Sequence, residues 1–220
     1  MKNMKEKVRE VFSIAKDHAP VPGCTITKEV KGGDNTITYV SLAEETDISA
    51  EIRPYGKFII VHNGDLTVYK AFDHDIRLET GESIIIPPDS LAGMKSENGV
   101  VYTEITLRRS DNMNKVIKAG EVFKLKDLIP YQEGQIVNMD VVHNDEMKFA
   151  IMAFDEGTGL SEHAAPGEAL IFALDGEGII GYEGEEHLIK AGEQFHFAKG
   201  GLHYVKATKK FKMGLLLTLA

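Results

Sequence analysis

The two halves of this 220-residue chain follow one pattern. The turn-forming dipeptides Asn63-Gly64 and Asp175-Gly176 stand 112 residues apart, and at that spacing Tyr39 falls on Ile151, Leu42 on Phe154, Glu44 on Glu156, Ile48 on Leu160 and Ser49 on Ser161. Gly81-Glu82 meets Gly192-Glu193 at a spacing of 111, and Thr106-Leu107 falls on Thr218-Leu219 at 112. A repeat of this length reads as one structural unit used twice. It divides the chain at 112, with units 1–112 and 113–220 and the boundary near Asn112–Asn114.

Within each unit the runs are short, apolar or alternating, and separated by Gly, Asn, Asp and Pro. Thr36–Leu42, Phe58–Val61, Leu66–Tyr69 and Ser83–Ile86 are the first set; Phe149–Phe154, Ala169–Leu174, Phe195–Phe197 and Met213–Leu219 are the second. Such spacing predicts an all-β sandwich or barrel. Asn63-Gly64 and Asp175-Gly176 predict type I′ hairpins, whose central residues need positive φ. Residues 2–17 differ: Met4, Val8, Val11, Phe12 and Ala15 lie on one helical stripe, which predicts an amphipathic helix ended by the Pro20-Val21-Pro22 stretch. Gly120–Ile129 reads as a lead-in to the second unit.

A net charge of −9 argues against a nucleic-acid backbone or an anionic membrane surface as the partner, because both require a basic face. No apolar run approaches the roughly 20 residues that span a bilayer, and the N-terminus lacks the apolar stretch and cleavage site of a secretory signal. Cys24 has no second cysteine to pair with, so the expected compartment is the cytoplasm.

The second half resembles the cupin superfamily. Gly157–Gly176 reads GTGLSEHAAPGEALIFALDG and Gly192–His203 reads GEQFHFAKGGLH, similar to the G-x5-H-x-H-x3,4-E-x6-G and G-x5-P-x-G-x2-H patterns of that superfamily. Glu162–Pro166, Leu174–Glu177, Ala191–Glu193 and Phe211–Thr218 resemble compact bacterial cupin-domain proteins. The resemblance implies two tandem cupin (jelly-roll) barrels behind a short N-terminal helix. It also implies a divalent transition metal (Ni, Fe, Mn, Zn or Cu), held in this superfamily by three histidines and a carboxylate.

On that pattern His163 and His203 take two ligand positions, and Glu168 and His196 are the candidates to complete the shell. The positions of the second histidine and of the glutamate are Ala165 and Ala169, and Ala198 replaces the proline of the second motif. Glu168 sits one residue from the glutamate position, which in a regular strand is the opposite face. His196 joins the site only if its face, rather than that of Phe195 and Phe197, lines the barrel. In the first half the matching positions are Glu51, Arg53, Lys57 and Ala92, a set that predicts a metal-free barrel. Arg53 and Lys57 would receive a carboxylate or phosphate if they face inward, and otherwise form a solvated charged strand. His62 and His74 match no motif.

Three functions follow. One is a metal-dependent isomerase or dioxygenase acting on a small polar or anionic metabolite in the second barrel. Another is a binding or sensing protein for such a metabolite, with no catalysis. The third is a metal-free isomerase using His163 with Glu168 or Glu162, and Tyr182 or Tyr204, as acid and base. The barrels are expected to pair, either with each other within one chain or with those of a second chain in a homodimer.

Overall fold

The computed structural model describes residues 4–219. Its strands gather into two assemblies, one built from residues 25–107 and one from residues 136–218. Each is a barrel made of a larger and a smaller sheet. In the first, Gly56–Tyr69 pairs with Glu82–Ile86 and Val100–Leu107 in the larger sheet, then with Ile76–Glu79 and Leu91–Ser96 in the smaller. In the second, Glu168–Tyr182 does the same, first with Gln194–Phe197 and Phe211–Thr218, then with Glu185–Lys190 and Leu202–Lys206.

The two long strands pass between sheets where hairpins were expected. Asn63-Gly64 and Asp175-Gly176 are not loops. They are points where the register shifts, between Val61 and Asn63 and between Ala173 and Asp175. Gly64 and Gly176 do have positive φ, +88° and +70°. A β-bulge with glycine in the left-handed region uses the same conformational freedom as a type I′ turn, and it bends the strand instead of reversing it. The two-residue turn with positive φ at both positions is Glu183-Gly184, which joins Tyr182 to Glu185.

Strand alternation sorts the core into three parts. Ile59, Val61, Ile84 and Tyr102 face the interior of the first barrel, and Ile171, Phe195, Phe197, Phe211 and Met213 face that of the second. Phe58, Ile60, Ile85, Phe149, Leu170, Phe172 and Leu216, on the opposite faces, form one cluster joining the two barrels. Phe58 meets Phe149 edge-on at 5.2 Å between ring centroids. The larger sheets are therefore apolar on both faces, which is why Phe58–Val61 and Ala169–Leu174 read as continuous apolar runs.

The helix expected over 2–17 is confined to Ile14–Asp17, capped by Ser13; residues 2 and 3 lie outside the described part. Val11–Phe12 is instead a strand on the second barrel, pairing with Gln194–Phe195, and Lys5 N–H donates to Val30 O of the first. A lone helix of this length is marginal in water. Extended, the segment buries Met4, Phe12 and Ile14 in the cluster between the barrels. Phe123–Lys124, from the other side of position 112, pairs with Glu82–Ser83 of the first barrel. Each unit thus lends a short strand to the other. Among the described residues no helix is long and apolar enough to cross a membrane.

Candidate functional site

His163 and His203 are direct cross-strand partners, and their rings lie 4.2 Å apart at the mouth of the second barrel. His163 is exposed, while His203 is buried and stacks on Phe197, with centroids again 4.2 Å apart. Local backbone geometry sets both tautomers. Nδ1 of His163 donates to Ser161 O (2.8 Å) and Nδ1 of His203 to Gly201 O (3.1 Å), so each Nε2 carries the free lone pair. Burial, reinforced by His163 nearby, holds the His203 pKa below the usual histidine range despite its bond to Gly201 O. Tyr182 is the partner of His203 on the next strand and belongs to the same barrel interior.

Glu168 and His196 are also together, but elsewhere. His196 pairs with Leu170, whose side chain lies in the cluster between the barrels, whereas Phe195 and Phe197 face the barrel interior. Alternation therefore turns His196, and Glu168 two residues before Leu170, toward the N-terminal segment. There Met4 N–H donates to Glu168 Oε2 (2.8 Å), and His196 Nδ1 donates to Glu6 O (3.3 Å). Nε2 of His196 lies 3.7 Å from Glu168 Oε1. Burial lowers the His196 pKa, and Glu168 offsets part of that shift. Gln194, on the same face, accepts a hydrogen bond from Ile14 N–H (2.7 Å).

The four candidate donors thus form two separate pairs, His163 with His203 on the smaller sheet and Glu168 with His196 on the outer face of the larger one. Ala165 and Ala169, at the remaining ligand positions of the cupin pattern, are buried in the second barrel's core. Among the described residues no group of three or more His, Cys, Asp or Glu side chains is arranged to hold a metal ion. A tightly held transition metal takes three or four protein donors, so two imidazoles backed by alanines do not fit a resident ion. Tyr204 is turned to the outside, where its hydroxyl donates to Glu186 Oε1 (2.5 Å).

The first barrel repeats the frame with other chemistry. Glu51 pairs with Ala92 as His163 pairs with His203. Glu51, Arg53, Lys57 and Ala92 all line one cavity of about 170 Å³, together with Thr38, Tyr55 and Glu104. Arg53 and Lys57 do face the mouth, and Lys57 Nζ pairs with Glu104 Oε2 at 3.0 Å. Glu104 is the residue that sequence reading missed. The signal was present, since the matching residue of the second half is a leucine. Strand pairing sets Glu104 opposite Ile59 and Leu215 opposite Ile171, a spacing of 111. The one-residue loss before Gly192 therefore persists to the end of the chain, and Thr106 corresponds to Leu217 rather than Thr218.

His62 lies at a third place, a cavity of about 320 Å³ between the barrels that is also lined by Lys124, Lys126, Phe172 and Gln194. It shares a 2.6 Å hydrogen bond with Thr103 Oγ1 and stacks on Phe172. Burial, with a smaller contribution from His18, lowers its pKa to about 3, so it is neutral near pH 7.

Residues 150–218 match the family model described as Cupin domain. No curated protein matched. Among solved structures, a cupin 2 conserved barrel domain protein from Leptotrichia buccalis superposes with a TM-score of 0.86 at 24% identity, over 99% of this chain and 100% of that one. A putative glyoxylate-induced protein from Pseudomonas aeruginosa gives 0.61 at 14% identity over 99% and 91%. A salicylate 1,2-dioxygenase from Pseudaminobacter salicylatoxidans gives 0.66 at 10% identity over 99% and 86%. At these identities the structures speak for the fold alone. The Cupin domain match thus lies within the second half, and the two-barrel fold of these structures extends over the whole chain.

Proposed function

We propose that the protein is a small-molecule-binding cupin, taking a small polar or anionic metabolite at the mouth of the second barrel through His163 and His203, without a resident metal. The supporting observation is the split of the four candidate donors, two toward the barrel and two toward the N-terminal segment. With both Nδ1–H groups engaged on backbone carbonyls, the chemistry left is that of two adjacent Nε2 atoms. Each accepts a hydrogen bond from a ligand hydroxyl when neutral and donates to a carboxylate when protonated. Burial lowers the His203 pKa, which favours its neutral form and leaves its Nε2 as an acceptor. The isomerase and dioxygenase readings need either a metal or an acid–base partner. Of these, the metal-free isomerase keeps one supporting feature, Tyr182 beside His203.

Elemental analysis of protein purified without a metal-affinity tag tests this reading, beside a His163→Ala/His203→Ala variant. We expect sub-stoichiometric metal in both, and a co-purifying small molecule, seen by native mass spectrometry, that is lost from the variant. Stoichiometric Ni, Fe, Mn, Zn or Cu that disappears with the two histidines would overturn the metal-free reading and restore the metalloenzyme.

A further inference from the structure

We infer that the mouth of the first barrel is a second binding site, for a small zwitterion of amino-acid size. Its four cupin ligand positions hold Glu51, Arg53, Lys57 and Ala92, and all four line the cavity. The deepest charges there are Lys57 and Glu104, 3.0 Å apart and only 16% and 18% exposed. Both face the barrel: Lys57 is paired with Ile86 and Glu104 with Ile59, two residues of the first barrel's core.

An ion pair in such a place costs desolvation that apolar side chains avoid, and replacing one by apolar residues is often neutral or stabilising. The second barrel shows the apolar solution on the same scaffold, with Ala169 and Leu215 at the corresponding positions. The charged pair is therefore not required for the barrel to close. A ligand explains its retention. A carboxylate on Lys57 and an ammonium on Glu104 would replace one ion pair by two, leaving all four charges matched. At the rim the Arg53–Glu51 pair repeats the arrangement of one cation and one anion. Thr38 and Tyr55 add hydroxyls to the wall. Tyr102, on the same face two residues before Glu104, is fully buried, and its hydroxyl has no hydrogen-bond partner among the described residues. A volume of about 170 Å³ lies below the roughly 300–1,000 Å³ of sites for drug-sized ligands, which limits the occupant to a very small molecule.

Isothermal titration calorimetry on the full chain, with glycine, L-alanine, L-serine and L-glutamate as probes, tests the assignment. Lactate, lacking the ammonium, and ethanolamine, lacking the carboxylate, are the comparisons. We expect at least one amino acid to bind, and both comparisons to bind at least tenfold more weakly. Lys57→Ala/Glu104→Leu copies the second barrel and should abolish binding. Arg53→Ala, at an exposed rim position that carries no folding risk, should weaken it at least threefold. His163→Ala/His203→Ala should leave it unchanged, which separates this site from the one in the second barrel. Absence of heat with all four amino acids would sink the proposal, as would equal binding of lactate or undiminished binding by the Lys57/Glu104 variant.

Discussion

Glu168 and His196 show how a single residue's surroundings decide its role. Both are of the right type for a metal site and within a few residues of the right positions, yet the pleat turns them to the far side of the sheet. There Glu168 anchors the start of the chain by accepting from Met4 N–H. Its role is expected to be structural. Glu168→Ala should cost about 1–3 kcal/mol in denaturant unfolding, because it leaves a part-buried N–H without an acceptor. Glu168→Gln keeps an oxygen for that N–H and should cost less than half as much. Unchanged stability in Glu168→Ala, combined with lost ligand binding, would return Glu168 to the functional site.

At the scale of elements, the two bulges are the points on which each barrel turns. A Cβ built on Gly176 would lie 1.9 Å from Lys210 O, and one on Gly64 2.0 Å from Gly99 O, so backbone as well as φ forbids a side chain. Gly184, in the hairpin, has positive φ but open space around it. Gly184→Ala should therefore cost about 1–2 kcal/mol, the penalty of the left-handed region alone. Gly176→Ala should reach ~3 kcal/mol or more, since a displaced strand is added to that penalty. Equal losses in thermal melts of the two variants would show that the bulge is not a fixed point. The same element-level logic replaced the expected N-terminal helix. Its apolar residues do not share one face: Met4 and Phe12 are buried between the barrels, Val11 packs on the second barrel's core, Val8 is exposed, and strand pairing to Gln194–Phe195 satisfies the backbone.

For the whole molecule, the cluster between the barrels is continuous, from Phe58 and Ile60 through Phe149 and Phe172, and each barrel carries a strand from across position 112. The barrels should therefore unfold together. At about 0.7 kcal/mol per residue near 60 °C, the chain should show one calorimetric transition with a van't Hoff enthalpy of about 150 kcal/mol. Two transitions of roughly half that size would show independent barrels. Sequence alone determined the duplication, the all-β class and which residues stand at the cupin ligand positions of each half. These are carried by periodicity, by glycine's positive φ and by residue identity at a fixed spacing, which are local properties. Only the tertiary structure decided that Asn63-Gly64 and Asp175-Gly176 bend strands instead of reversing them. Likewise it alone turned His196 and Glu168 away from the barrel, paired Lys57 with Glu104 and drew the N-terminus across both units. Those outcomes depend on which face of a strand meets which core, and when both faces are apolar the alternation that would reveal it in sequence is erased.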